Sequence, residues 1–414
     1  MEGLCFDYNN NENSKKIELL GMTFLFYAGS YAIKPILHCI GLASLESVGS
    51  LFFYILFGVK LLSILIRRAK LNINLFVKII ICDLLFIVFL LVNSIIFTNT
   101  QQYYAEYEMF FRQIIVVFIP CGVILSTVSS CNNAFLFMKK YAKIGSIIMY
   151  LSLPLGYLKY WDYQYWGVQL SPFIVILYCN YLDHKNKGDL IFLIIDISLL
   201  FWGGRQSLLT VLFVILAIYI FENRKNTKKI LIFSLVIIIG ILFLVTGVYT
   251  DIFKLIDSIL GIHMEGLSRA AQGELFSFAT RNDIYNYSFR TILQNGSKIS
   301  GLLSDRFYLR NAGRHTSWIQ YPHNIYLELF IDFGMILGAI ISIIITTKVI
   351  KSILIGDESR RRLGIVICML TMVRLFVSSS FLIEGNFYIL LGFLFSVKKN
   401  KIVLGIVDGH RTIY

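Results

Sequence analysis

The strongest constraint on this chain is a repeated one. Stretches of roughly 17–25 apolar residues, each long enough to cross the hydrocarbon core of a bilayer, recur along almost its whole length. They fall near 18–38, 46–66, 76–97, 113–131, 144–159, 168–182, 189–203, 206–222, 229–250, 324–347, 363–379 and 384–397. The loops between them alternate in charge. One set holds Lys15 and Lys16, Arg67, Arg68 and Lys70, Lys139, Lys140 and Lys143, Lys185 and Lys187, and Arg224, Lys225, Lys228 and Lys229. It continues with Lys348, Lys351, Arg360, Arg361 and Arg362, then Lys398, Lys399, Lys401 and Arg411, so that it collects 23 of the 38 Lys and Arg. The short loops of the other set hold only Lys34, Arg112, Lys159 and Arg205. Basic loops stay cytoplasmic, and twelve spans with both termini inside satisfy that rule at every loop.

Composition agrees. Residues are 57% hydrophobic and 15% charged, against about 25% charged in soluble domains, and the mean hydropathy is +0.71. The fold class is an all-α polytopic membrane protein. Its net charge of +13 belongs to the loops and implies no nucleic-acid partner. Cys5, Cys39, Cys82, Cys121, Cys131, Cys179 and Cys368 are scattered, so neither a disulfide framework nor a CxxC metal pair follows. The N-terminal stretch around Asn9, Asn10 and Asn11 lacks the basic start of a cleavable signal, and the first apolar segment is expected to stay. Three parts result: 1–250 with nine spans, 251–322 as one large outer loop, and 323–414 with three spans and a tail.

The outer side is rich in aromatics: Tyr103, Tyr104, Tyr107, Tyr160, Trp161, Tyr163, Tyr165 and Trp166. They suit an interfacial belt or a rim on which sugar rings stack. Arg205 stands in the tight turn Gly203-Gly204-Arg205-Gln206-Ser207, where two helices meet. Asp196, deep in its apolar stretch, is expected to pair with a buried cation such as Lys60 or Lys78.

In the large loop, Ile252, Leu255, Ile256 and Ile259 recur at helical spacing, which predicts a helix lying on the membrane surface. The loop's charge then changes sign. Four acids stand against Lys254 and Arg269 in 251–274, and six bases against Asp283 and Asp305 in 281–314. Residues 280–296 predict a helix with a Thr280/Asp283 cap, an apolar face of Ile284, Ser288, Phe289, Ile292 and Leu293, and a stop at Asn295-Gly296. Arg281 then sits at a helix N-terminus, where free N–H groups already favour an anion. Its guanidinium fork matches phosphate oxygens in pairs, though pairing with Asp283 would explain it equally.

The loop ends at Pro322, and an apolar helix opens with His323 and Asn324. Asn324, Glu328 and Asp332 share one helix face and are expected to form a polar seam to neighbouring helices. His323 is free to point into the loop. No HxxxH, no outer-loop DxD and no Cys/His cluster is present, so no metal and no cofactor is expected. A phosphate leaving group would be neutralised by Arg, His and helix ends.

Tyr321-Pro322-His323-Asn324-Ile325-Tyr326-Leu327-Glu328, running into Asp332-Phe333-Gly334, resembles the signature of the O-antigen polymerase and O-antigen ligase superfamily. The turn Gly204-Arg205-Gln206-Ser207 and the loop Arg281 before an apolar-aromatic run resemble two further family features. The usual Gly-x-Gly after that helix is reduced to Gly296 and Gly301. The resemblance covers roughly 190–345, and the N-terminal half matches only in hydropathy.

The resemblance implies a metal-independent, GT-C-like glycosyltransferase in the bacterial inner membrane, with its active site on the periplasmic or outer face. Donor and acceptor would be undecaprenyl-diphosphate-linked glycans, and a chain-length regulator and a flippase would be partners. Arg205 and Arg281 map to diphosphate clamps. His323 maps to the catalytic histidine, as base or as diphosphate contact. Arg314, His315, Asn324 and Tyr326 become candidates for substrate contact, and Glu328 and Asp332 remain the seam. Polymerases of this kind vary widely outside the motif, as this chain does, which favours a polymerase of repeat units for O-antigen, capsule or exopolysaccharide. A ligase that delivers finished glycan to lipid A core or another surface acceptor shares the donor half of such a site. A lipid-oligosaccharide flippase would show matched Pro/Gly-broken repeats. Pro35, Pro120, Pro154, Pro172 and Pro322 show no such correspondence.

Overall fold

The computed structural model describes residues 2–67, 70–153, 163–200, 203, 205–229, 231, 250–251, 254–255, 258, 279–311, 321–377 and 379–396. The described chain is almost wholly helical. Two residue pairs, Ile66–Arg67 and Lys70–Leu71, form a minimal antiparallel hairpin between two helices.

The N-terminal part holds α1 (Glu2–Cys39), α2 (Glu46–Leu65), α3 (Ile73–Ile96), α4 (Gln101–Glu106), α5 (Glu108–Gln113) and α6 (Ile119–Leu125). A π-turn over Ile114–Phe118 joins α5 to α6, just before Pro120, which has no N–H to give the helical ladder. Next come α7 (Ala134–Ser152), α8 (Tyr163–His184), α9 (Lys187–Leu200) and α10 (Arg205–Asn223). The C-terminal part holds α11 (Ala279–Asn295), α12 (Ser304–Asn311), α13 (Ile325–Leu354), α14 (Glu358–Val377) and α15 (Gly385–Phe395).

The packed centre is made of α1 on α7, α7 on α8, α8 on α10, α10 on α14, α14 on α15 and α15 on α6. Close crossings use missing side chains. A Cβ on Gly392 would lie 2.1 Å from the carbonyl oxygen of Gly122, so α15 and α6 touch backbone to backbone. By contrast α2 and α3 leave long apolar faces exposed, among them Leu51, Phe52, Ile55, Leu84, Leu85 and Ile95.

Five described stretches are long and apolar enough to cross a membrane: Ala43–Leu65, Ile73–Ile96, Glu108–Leu125, Gln206–Asn223 and Ile325–Leu354. They match five of the twelve expected spans. The stretch 18–38 lies inside the 38-residue α1. The stretches 168–182, 189–203 and 363–379 lie largely on α8, α9 and α14. Only 11 residues of 384–397 are helical, as α15, about 16 Å of helix. The 229–250 span, the surface helix of the large loop, and Arg314 and His315 lie outside or largely outside the described residues.

Charged contacts gather several basic loops at one end of the bundle. Arg362 bonds Asp183 (2.5 Å) and Glu222 (3.1 Å), Arg224 bonds Glu358 (3.3 Å), and Arg360 reaches the Val128 carbonyl (3.4 Å) and Ser396. Lys139 and Lys143 hold Asp189 at 3.0 and 2.7 Å. One expected pairing is corrected here: Lys60 bonds Glu18, not Asp196. Asp196 instead accepts hydrogen bonds from Ser146 (2.9 Å) and Tyr150 (2.6 Å), because α7 brings two hydroxyls to it.

Candidate active site

The site is built around a helix that folds back on itself. Pro322 is buried, His323 takes a left-handed backbone (φ 54°), and Asn324 is the N-cap of α13. The Asn324 side chain accepts from the Tyr326 and Leu327 N–H groups at 3.0 and 3.4 Å, the usual way to satisfy a helix start. Ten residues after this cap Gly334 leaves helical geometry (φ 73°, ψ 168°). Beyond it the chain returns along its own path. A Cβ on Gly338 would lie 2.8 Å from the Leu329 carbonyl oxygen, and the Tyr326 hydroxyl meets that of Thr346 at 2.7 Å. In a straight helix, residues 326 and 346 would stand about 30 Å apart.

α13 is therefore a hairpin with a short arm, 325–333, and a long arm, 335–354. The sequence predicts one membrane-length helix starting at His323. The short arm, about 13 Å long, cannot cross a bilayer, and only the long arm has spanning length.

Breaking a helix frees backbone groups that must find partners. Here the segment after α11 supplies them. The Ser300 and Gly301 N–H groups donate to the Asp332 carbonyl (3.0 and 2.9 Å), and the Met335 N–H donates to the Gly296 carbonyl (2.9 Å). Gly296 does end α11, as expected, with φ 55°. From α3, Asn93 accepts from the Leu302 N–H at 2.8 Å and donates back to its carbonyl at 3.4 Å. Residues 300–306 are all buried, so the segment expected to be wholly extramembrane sends a strap into the bundle.

That strap delivers Arg306, which is fully buried. Its Nη1 donates to Asp305 and, at 2.7 Å, to Glu328, and its Nη2 donates to Ser380 at 2.6 Å. Ser380 in turn donates to Glu328, which also accepts from the Phe381 N–H at 3.3 Å. Asp332 accepts from Ser304 (2.8 Å) and the Asp305 N–H (3.2 Å). Burial pushes the Asp305 carboxyl above its usual range in spite of the neighbouring guanidinium. Burial alone would lower the Arg306 pKa, but Asp305 and Glu328 raise it well above normal, so Arg306 stays charged. Oxygens of Asp305, Glu328 and Asp332 lie within 4.8 Å of one another, the spacing a metal ion needs. The Arg306 guanidinium already provides the positive charge between two of them.

A second buried pair stands beside the first. Arg374 bonds Glu384 at 2.9 Å, Ser379 donates to Glu384 at 3.0 Å, and Glu384 caps α15. Tyrosines pack around the guanidinium. Tyr107 and Tyr321 lie 5.4 and 5.0 Å from the Arg306 guanidinium carbon, and the Tyr321 ring is 4.4 Å from the His323 imidazole. Arg310 bonds both oxygens of Glu106 (2.8 and 2.7 Å), which holds that carboxyl below its usual range, and lies over Tyr103 at 4.7 Å. Tyr103 and Tyr107 are thus packed into the site wall. Trp166 is fully buried and donates to Ser152 at 3.1 Å, so it belongs to neither a belt nor a rim.

The expected residues distribute as follows. His323, Asn324, Glu328 and Asp332 lie on or just before the short arm. Glu328 and Asp332 are bonded to the strap, whereas Asn324 is turned to the helix cap. The Tyr326 hydroxyl meets that of Thr346 on the long arm, and its ring lies 5.3 Å from that of Phe376 on α14. Arg205 opens α10, and Arg281 is the third residue of α11. Gly203 packs closely on α8: a Cβ there would lie 2.7 Å from the Gly167 Cα. α11 packs on the short arm through Ile292 against Leu327 and Ile331. It buries Ile284, Ser288 and Ile292 but leaves Phe289 and Leu293 exposed. Arg306, Ser380, Arg374 and Glu384 escape sequence reasoning. Arg306 had one available signal, an Asp-Arg pair one residue after two leucines.

A buried polar core of arginines and carboxylates is thus packed inside a multi-pass helical membrane protein. Residues 190–343 match the family model described as O-antigen ligase. This stretch, from α9 into the long arm of the hairpin, is a domain of the O-antigen polymerase and ligase superfamily. No curated protein and no solved structure matches the chain.

Proposed function

We propose that this protein is a polymerase of lipid-diphosphate-linked oligosaccharide repeat units. The observation that carries the reading is the family match over 190–343, which contains the Arg205 turn, the Arg281 helix and the His323–Asn324 helix start. The donor is a growing glycan on undecaprenyl diphosphate, and the acceptor is the non-reducing end of a new repeat unit. An acceptor hydroxyl oxygen attacks the donor's anomeric carbon, and the bond from that carbon to the diphosphate breaks. The diphosphate leaves with the electron pair, and the hydroxyl proton passes to His323. Arg205 and Arg281 neutralise the leaving diphosphate, with Arg314 and His315 contacting substrate and no metal required. The site faces the outer side of the bacterial inner membrane, as the basic loops suggest.

The description of the matched family favours one second reading, a ligase that moves finished glycan to a surface acceptor. Purified protein, a lipid-diphosphate-linked repeat unit and EDTA test the proposal together. A ladder of lengthened products is expected, lost in Arg205→Ala, Arg281→Ala and His323→Ala and retained in Arg269→Ala. Removing one such charge stabiliser costs about 10²–10³ in rate. Transfer to a separate acceptor without lengthening makes the protein a ligase. Activity that EDTA abolishes and magnesium restores contradicts the metal-free mechanism.

A further inference from the structure

We infer that a lysine-lined cavity on α7 holds the phosphate headgroup of an anionic phospholipid, whose acyl chain lies along the same helix. The inference is independent of the reaction assigned above, because the cavity shares no residue with that site. Lys139, Lys140 and Lys143 of α7 line it together with Leu136, Phe137 and Glu18 of α1, and its volume is about 300 Å³. That is the small end of the range for ligand sites, enough for a headgroup but not for a whole lipid.

Charge on the cavity walls does not balance. Lys139 and Lys143 share Asp189 at 3.0 and 2.7 Å. Lys60 of α2 and Lys140 share Glu18, the second at 3.2 Å. Four ammoniums thus stand against two carboxylates, a surplus of two positive charges. The Asn180 amide and the Tyr141 hydroxyl also donate to Asp189 and Glu18, at 2.5 and 3.2 Å. Each ammonium carries three N–H groups, more than its one carboxylate contact uses, and the Lys140 side chain is 59% exposed. Basic loops face the leaflet whose anionic lipids attract such lysines.

The apolar face beyond the lysines selects a lipid over a free phosphate. Leu136, Lys140, Ile144, Ile147 and Leu151 fall on one face of α7, and all five are exposed. From Lys140 to Leu151 the helix rises about 16 Å. That is about half of a hydrocarbon core of about 30 Å, the depth of one leaflet. An acyl chain attached to a phosphate in the cavity therefore meets an apolar track of its own length.

The test counts bound lipid. The full-length protein in neutral detergent is titrated with phosphatidylglycerol or phosphatidylcholine and followed by native mass spectrometry. One phosphatidylglycerol is expected to bind about tenfold more tightly than phosphatidylcholine, and less so in high salt. Lys140→Gln should weaken it about fivefold, the effect of one lysine at an anionic surface, and Lys140→Gln with Lys143→Gln should weaken it further. Lys225→Gln, an equal loss of charge on the exposed turn after α10, should leave binding unchanged. Ile144→Ser with Ile147→Ser should also weaken it, and soluble glycerol phosphate should fail to displace the lipid. Equal binding of the two lipids, or equal effects of Lys140→Gln and Lys225→Gln, overturns the proposal. Displacement by glycerol phosphate with no effect of the isoleucine pair also overturns it, and makes the cavity a site for soluble phosphate. Should the double lysine variant lose its fold, Lys140→Gln alone decides, because that side chain is mostly exposed.

Discussion

Two stretches of this chain read alike as sequence and fold differently: α3, Ile73–Ile96, and the hairpin Ile325–Leu354. Both are long and strongly apolar, and both count as membrane-crossing by length and composition. α3 runs unbroken for 24 residues, contains no glycine and exposes most of its apolar face. The hairpin carries Gly334 and Gly338 four residues apart, turns at the first and passes its own backbone at the second. What separates them is where polar groups are bonded. The one fully gripped polar side chain of α3, Asn93, sits near the helix end and holds the Leu302 backbone. Glu328 and Asp332 lie inside the short arm and are met by a strap that brings its own arginine. A straight apolar helix fills the bilayer; a broken one makes room for a site.

The largest effect is expected where the hairpin's charges are unbalanced. Arg306→Ala leaves Asp305, Glu328 and Asp332 buried without their cation, and losing one partner of a buried pair costs about 3–5 kcal/mol. Thermal unfolding in detergent should show it as a large fall in Tm. The matching change on α3, Leu84→Ala at an exposed position, should stay within about 0.5 kcal/mol. Equal losses would erase the distinction between rod and hairpin.

Gly334→Ala comes next. A side chain at φ 73° is strained by about 1–2 kcal/mol, and the new Cβ would lie 2.7 Å from the Ser297 backbone. Unfolding measurements should show a loss of that size or more, with faster proteolysis of the 296–303 strap. Asn93→Leu is expected to cost about 1–3 kcal/mol by leaving the buried Leu302 N–H without a partner, and to loosen the same strap. A loss at Gly334 without one at Asn93 would mean that the strap is held by the hairpin alone.

The smallest effect concerns Glu106 and Arg310. Arg310 holds the Glu106 carboxyl below its ordinary range. The pair therefore adds stability above the ordinary carboxylate pKa and loses it as pH falls through the depressed value. Glu106→Gln should flatten the acid side of the stability profile slightly, and less so in high salt, since both groups are partly exposed.

Much of the fold was legible because membrane length and loop charge follow from the bilayer itself. The stops also read correctly: Asn295-Gly296 ends α11, and Gly203 marks a tight contact. Asn324, Glu328 and Asp332 were legible as a polar face, but the helix cap took Asn324 away from the seam. The hairpin was not legible because hydropathy counts apolar residues without regard to direction. Its signal lay in Asp332-Phe333-Gly334 and Gly338, where two small residues at i, i+4 let backbones touch. Arg306 was hidden because its partners come from α13 and the 379–384 connection. Periodicity reports a helix's own face and is silent on what a distant strap places against it.

The central claim is that the candidate site sits on a helix arm that turns back at Gly334. It is tested most directly by pairing Tyr326→Cys with Thr346→Cys in a background lacking the native cysteines. The hydroxyls of these residues meet at 2.7 Å, so the two positions lie about one tyrosine side chain apart; a short bifunctional thiol crosslinker should bridge them within one chain, and spin labels there should report a short separation. A separation of about 30 Å, the length of twenty residues in an unbroken helix, with no intramolecular crosslink, would contradict the hairpin and the site built on it.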